Sequence, residues 1–190
     1  MHENVLLRES VAALVTDPNG RYIDGTFGRG GHSRRILDSL EGRGSLLAVD
    51  RDRAAAAGAQ DLMNTDSRFE FVQTSFAKLP AVLAQRGNLQ VSGMLLDLGV
   101  SSPQFDEPER GFSFRHDGPL DMRMDASSGE SAAQWLARVD EAELSRVFRE
   151  YGEERFHRRI ARAVVTARDE DPIVRTLQLA DIISAANPAW

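Results

Sequence analysis

The stretch Asp24-Gly25-Thr26-Phe27-Gly28-Arg29-Gly30-Gly31-His32-Ser33 decides how this 190-residue chain is read. A β-compatible tripeptide, Arg21-Tyr22-Ile23, and an acid run into four glycines within seven residues, and a helical pattern follows at once. Glycine loses more conformational entropy on folding than any other residue, so this density calls for a sharp turn and close approach of a ligand to the backbone. At a strand-to-helix junction, free N–H groups and the positive end of the helix dipole face that ligand. The loop reads as a cradle for a nucleotide-like molecule, with a tight structural turn as the alternative.

The flanking sequence alternates between strand-like and helix-like segments. Arg8–Val15 predicts a short helix, Asp17-Pro18-Asn19-Gly20 a turn, and Arg21–Asp24 the first strand. Ser33–Leu40 carries a helix with Ile36, Leu37 and Leu40 on one face, and Ser45–Val49 is a continuous apolar run, as in a strand buried on both faces. Arg53–Met63 predicts a helix, Phe69–Val72 a third strand, Leu79–Gln85 a helix and Gly93–Asp97 a fourth strand. Four βα-type units in about 100 residues imply a parallel sheet. Leu98–Gly129 has no sustained periodicity, and loops of that length are usually functional or disordered. Helical patterns then cover Ser131–Arg138, Glu141–Tyr151, Glu153–Arg168 and Thr176–Ala186, with Asp140 and Thr176 as N-cap candidates and Gly152 at a helix end. The fold class is α/β: a core with a partial parallel sheet over residues 1–112, then a connecting loop and an all-helical subdomain over 113–190. Four strands leave a bare apolar edge unless the helices, or further strands of a longer chain, cover it.

Composition narrows the function classes. Hydrophobic and charged fractions of 42% and 27% are those of an ordinary globular protein. No apolar run approaches the roughly 20 residues of a membrane span, and there is no signal-peptide pattern. The absence of cysteine excludes disulfides and thiolate metal sites and fits the cytoplasm. His2, His116 and His157 show no metal-ligand spacing. A net charge of −6 excludes a wholesale basic nucleic-acid binder, so any RNA binding must be local. Lys78 is the single lysine among 23 lysines and arginines; coding bias accounts for that, although arginine also suits phosphate contacts and base stacking.

The glycine spacing Gly28-x-Gly30-x-x-Ser33 lacks the third glycine of a dinucleotide fingerprint. Asp24, four residues before Gly28, would repel a pyrophosphate but could accept a hydrogen bond from the ammonium of S-adenosylmethionine, which favours a methyl donor over NAD. Asp50 ends the second strand 22 residues after Gly28, where an acid pairs with ribose hydroxyls in nucleotide-binding α/β folds. Phe76 covers an adenine face or belongs to the core. His32 contacts a ligand, caps the helix or is merely exposed. Asp97–Phe105 follows the fourth strand and so belongs beside the same pocket. With G-x-S-x-G absent, Ser101 and Ser102 do not read as hydrolytic nucleophiles. Phe112, Phe114, Arg115 and Arg123 lie in an aromatic, arginine-containing loop that either stacks unpaired bases or folds over its own apolar cluster. Arg155, Arg158, Arg159 and Arg162 share a helix face that is a solvated Glu–Arg surface by default and an RNA-phosphate stripe as the sharper alternative.

Taken together these residues resemble the bacterial methyltransferase family that modifies the exocyclic N4 amino group of a cytosine in small-subunit (16S) ribosomal RNA. The matching elements are Val5-Leu6-Leu7, Asp24–Ser33, Asp50-Arg51-Asp52, Leu95–Gln104, Arg110–Phe114, Asp117–Met124, Tyr151–Arg155 and Arg158–Ala163. The resemblance implies a Rossmann-like S-adenosylmethionine domain interrupted by an inserted helical domain. It implies donor contacts at Gly30, Gly31, His32, Asp50, Phe76, Asp97 and Gln104. The implied partner is small-subunit ribosomal RNA or the assembled small subunit, in the cytoplasm, with no membrane and no metal; oligomeric state stays open, a dimer included. Members of that family run on for roughly another hundred residues, so the sheet is expected to be incomplete and activity of this chain alone is left open. Many amino-methyltransferases place an acid or Asn, two prolines and an aromatic after the fourth strand. This chain offers Asp97 as cofactor or amino contact and Ser101, Ser102 and Pro103 as a substrate cradle. The rival readings are a small-molecule methyltransferase and a non-catalytic fragment that binds RNA or a partner.

Overall fold

Strand β1 (Arg21–Asp24) sits between two parallel neighbours, β2 (Ser45–Asp50) and β4 (Gly93–Leu95), and β3 (Phe69–Gln73) adds to β2. The order is β3-β2-β1-β4 with every pair parallel, a Rossmann-like arrangement. The computed structural model describes residues 6–87 and 89–187, at 102 and 103 by their backbone alone; Val5 lies outside the described residues. The chain divides into two compact units, residues 1–99 and 100–190.

Alternation along the strands assigns the two sheet faces of the first unit. Tyr22, Leu46, Ala48 and Phe69 pack with Val11 of α1 (Leu7–Leu14), Ile36 and Leu37 of α2 (Gly31–Asp38), and Ala55 and Ala59 of α3 (Arg53–Thr65). Ile23 and Val49 face the other way, onto Leu79 of the short α4 (Leu79–Ala84). That second face is thinly covered, and Leu89, Val91, Met94 and Leu96 are all exposed. Strand β4 is shorter than the apolar run predicts. After Leu95 the backbone leaves the sheet, and the Asp97 N–H donates to the Thr26 hydroxyl (2.7 Å).

In the second unit the helices α6 (Ala132–Arg138), α7 (Glu141–Glu150), α8 (His157–Glu170) and α9 (Thr176–Ala186) close over Leu136, Leu144, Ile160, Val164 and Ile173. Ser131 and Gln134 form a capping box on α6, and the Asp140 carboxylate caps α7 by accepting from the Glu143 N–H. Helix α8 starts later than its pattern predicts because Glu153 adopts φ 50°, a left-handed turn that α-helix cannot continue through. Arg175, not Thr176, is the N-cap of α9. The Thr176 hydroxyl instead accepts from the Gly118 N–H (3.1 Å), and Asp117 supplies the cap from a distance by accepting from the Leu177 N–H (3.2 Å).

The segment predicted as structureless is tightly built. It contains α5 (Ser102–Asp106) and a 3-10 turn at Pro108–Arg110, and Leu120 is buried in the helical core. Residues 100–112, grouped with the core by sequence, fold with the second unit. Gly111 (φ 77°) and Gly118 allow this, since a Cβ on either would overlap backbone carbonyls of Pro119 or Pro108. Gly118→Ala is expected to lower stability by about 3 kcal/mol or more, because the carbonyl of Pro108 cannot yield as a side chain would. Urea denaturation followed by circular dichroism measures this; an unchanged midpoint would show the loop to be loose.

Candidate functional site

The glycine turn is held by an acid buried beneath it. Asp24, at the end of β1, is fully buried. Its Oδ2 accepts from the Ser33 hydroxyl (2.7 Å) and its Oδ1 from the Thr26 N–H (3.1 Å), so one carboxylate joins strand, turn and the first turn of α2. Burial pushes the Asp24 carboxyl above the ordinary aspartate range, against the pull of those two hydrogen bonds. Helix α2 begins at Gly31, inside the turn, with Gly30 as N-cap at φ 75°. A Cβ on Gly30 would meet the Phe27 ring at 2.7 Å. Phe27 in turn is buried against Phe69 and Phe71, with ring centroids 5.7 and 5.3 Å away. Gly28 differs: it adopts φ 55°, and the nearest atom to a Cβ there would be 4.0 Å away, so open space borders the backbone.

All four strands are parallel, so their carboxyl ends share one edge of the sheet, and the predicted residues of the first unit gather there. Asp50 Oδ2 accepts from the Gly28 N–H (2.7 Å) and Oδ1 from the Asp52 N–H (2.7 Å). A carboxylate offers about four lone-pair sites, so Asp50 keeps acceptor capacity after both bonds. Phe76 lies in a 3-10 turn after β3, 43% exposed, and its Cβ would stand 3.5 Å from a Cβ on Gly25. The residue therefore starts beside the glycine turn, and at this exposure it is not core. His32 is buried, with Nδ1 3.8 Å from Oδ2 of the half-exposed Asp97. Sequence reasoning missed Thr26 and Phe27. Thr26 latches the turn to the end of β4, and Phe27 anchors it in the core. Nothing in their local spacing signals either role.

The remaining candidates belong to the second unit. The side chain of Gln104 is buried and its Oε1 accepts from the Ser101 N–H (2.9 Å), which stabilises the start of α5. The side chains of Ser102 and Pro103 lie outside the described residues. Phe114 and Arg115 are exposed, and Phe112 is half-buried. Arg123 does not reach out: Nε and Nη2 fork onto Asp121 (2.8 and 2.6 Å) and Nη1 donates to the Gly129 carbonyl (3.2 Å). Arg155 stands in the turn before α8, so only Arg158, Arg159 and Arg162 of the predicted stripe lie on the helix. Arg155, Arg158 and Arg159 are exposed without an ion pair among the described residues, while Arg162 lies 3.5 Å from Glu141. Ile160 and Val164 fill the opposite face of α8, as the periodicity predicts.

Asp24 also predicts a pH signature. A carboxyl whose folded pKa is raised binds its proton more tightly in the folded state. Its contribution to stability is therefore present at low pH and lost as pH rises through the interval above the ordinary aspartate range. The stability of Asp24→Asn relative to the unaltered chain is expected to grow across that interval and then level off. Guanidinium denaturation at a series of pH values measures the difference; a constant difference would place Asp24 at an ordinary pKa.

A model of the MraW methylase family matches residues 1–190. The ribosomal RNA small subunit methyltransferase H of Chromohalobacter salexigens is 56% identical over 190 residues, covering 100% of this chain and 57% of that protein. The chain thus spans a little over half the length of this curated relative. With a match along its full length, the chain belongs to the MraW methylase family.

Proposed function

We propose that this chain carries the donor-binding and RNA-engaging parts of an S-adenosylmethionine-dependent methyltransferase acting on the N4 amino group of a cytosine in small-subunit ribosomal RNA. The observation that carries the reading is the gathering of the Gly28–Gly31 turn, Asp50, Phe76 and Asp97 at the carboxyl ends of four parallel strands. The name of the Chromohalobacter relative supports the RNA substrate, and family membership supports methyl transfer.

The residues present fit a nucleoside-bearing donor. The open space beside Gly28 admits a ligand to the backbone, and α2 turns the positive end of its dipole to the glycine turn from which it starts. The spare acceptor sites of Asp50 suit ribose hydroxyls, and the exposed ring of Phe76 suits an adenine face. Gly30, Gly31 and His32 line the turn. Asp97 is the acceptor for an amino group, on the donor or on the substrate. Asp24 acts from below as the clamp of the turn, since its buried oxygens are engaged by Ser33 and Thr26. When bound, S-adenosylmethionine supplies an electrophilic methyl group on a sulfonium. The protein's task is then to orient the cytosine amine, whose lone pair is delocalised into the ring, and to draw its N–H bonds away from the line of attack.

Arg155, Arg158 and Arg159 serve as phosphate contacts, with Phe112, Phe114 and Arg115 beside bases; Arg123 is reassigned to supporting its loop. Gln104, implied by the resemblance as a further donor contact, keeps that role as a proposal, as do Ser101, Ser102 and Pro103 as substrate cradle.

Two measurements test the reading. Calorimetric titration with S-adenosylmethionine should show binding that Asp50→Ala weakens by roughly tenfold or more, the loss of a charge-assisted hydrogen bond; binding of NAD instead would overturn it. Binding of small-subunit RNA should weaken linearly with the logarithm of salt. Replacing Arg155, Arg158 and Arg159 by alanine should reduce that slope by about 2, at about 0.7 per single-strand phosphate. An unchanged slope would return the stripe to an ordinary solvated face.

A further inference from the structure

Met122 holds a strained backbone without compensating burial. Its φ is 61°, in the left-handed region that glycine, asparagine and aspartate enter readily and longer side chains enter at a penalty. Its side chain is 47% exposed, so it returns little to the core. Glycine would make the same turn without strain. The surroundings nevertheless over-determine the turn. The Met122 N–H donates to the Arg110 carbonyl (3.2 Å), and the Asp121 N–H to the Pro119 carbonyl (2.8 Å). The Arg123 fork locks Asp121, and Arg110 Nη2 donates to the Met124 carbonyl (2.9 Å). Met124 is itself 37% exposed. Two flexible apolar tips therefore stand on a rigid hydrogen-bonded base.

We propose that Met122 is a wedge that packs on the face of a nucleobase in the RNA and keeps it out of the stack. The proposal rests on the RNA-methyltransferase reading above, because an enzyme reaches the amino group of a base only once that base has left the stack. A thioether has no hydrogen-bond donor, so it meets the face of a base more than its edge. It is polarizable and unbranched, and adapts to any base. Methionine is among the side chains that insert between base steps in known complexes. Strain held at an exposed, over-determined position is the pattern expected of a functional residue.

The test uses the 190-residue chain and small-subunit RNA hairpins carrying 2-aminopurine next to candidate cytosines. The unaltered chain and Met122→Leu should raise the fluorescence on binding. Met122→Gly should lose most of that rise and bind roughly tenfold more weakly, the scale of one lost base contact. Its melting temperature should hold or rise, because glycine relieves the strain. A prop for the fold would instead lose stability and unstacking together. Equal unstacking and binding by Met122→Gly would overturn the wedge, as would a joint loss of stability and unstacking. If the unaltered chain bound none of the hairpins, the RNA reading itself would fall and the wedge with it, so the two failures are distinguishable.

Discussion

The carboxylate of Asp24 is the constraint from which the first unit's site is built. It is buried under the turn it shapes, and its two oxygens fix the end of β1, Thr26 and the first turn of α2 in one stroke. Thr26, positioned by that bond, uses its hydroxyl to hold the backbone at Asp97, so the end of β4 takes its place from the same acid. Asp50 completes the frame by gripping the Gly28 N–H from β2. Three strand ends are thus indexed to one glycine turn through side-chain oxygens. Among the described residues no buried side-chain polar atom lacks a partner, so this wiring leaves no buried polar group unsatisfied.

The second unit divides its burden differently. Its helices rest on ordinary means: caps at Ser131 and Asp140, an apolar stripe on α8, and Glu–Arg pairs such as Glu143 with Arg146 on the solvent side. Conformational difficulty lies outside the helices, at the Glu153 turn between α7 and α8 and in the loop that precedes all four. In that loop Gly111 and Gly118 permit backbone to pass against backbone, Asp117 reaches α9 through Arg175 and the Leu177 N–H, and Met122 sits in a conformation foreign to its kind. Low-strain helices support a high-strain loop, which is the usual division between scaffold and working surface.

The parts of this architecture visible in the sequence are those governed by local pattern. The apolar run at Ser45–Val49, the Ala-rich stretch after Arg53 and the four-residue spacing of Ile160 and Val164 each signal their element locally, and β2, α3 and α8 cover those residues. Asp50 and Gly28 were legible as a pair because the turn and the next strand end stand at a spacing set by the βαβ geometry. Long-range closures were not legible. Thr26 meets Asp97 across 71 residues and Gly118 meets Thr176 across 58, and neither pair leaves a periodic trace. Asp24 shows the same limit from the other side. An acid before a glycine turn can face a ligand or face inward, and only the burial of its carboxylate under Ser33 separates the two.

Phe27 joins two things usually treated as separate. Its backbone belongs to the turn, since its N–H donates to the Val49 carbonyl (3.1 Å), while its ring belongs to the aromatic cluster with Phe69 and Phe71 and also fills the place of a Gly30 side chain. The turn is therefore not a portable module. Transplanted onto another parallel sheet without an aromatic floor of this shape, the same ten residues would lose the support that sets the Gly30 corner. By the same coupling, a volume change at Phe69 or Phe71, beneath the turn, would register at the glycine turn as a shift in where the Gly28 amide points.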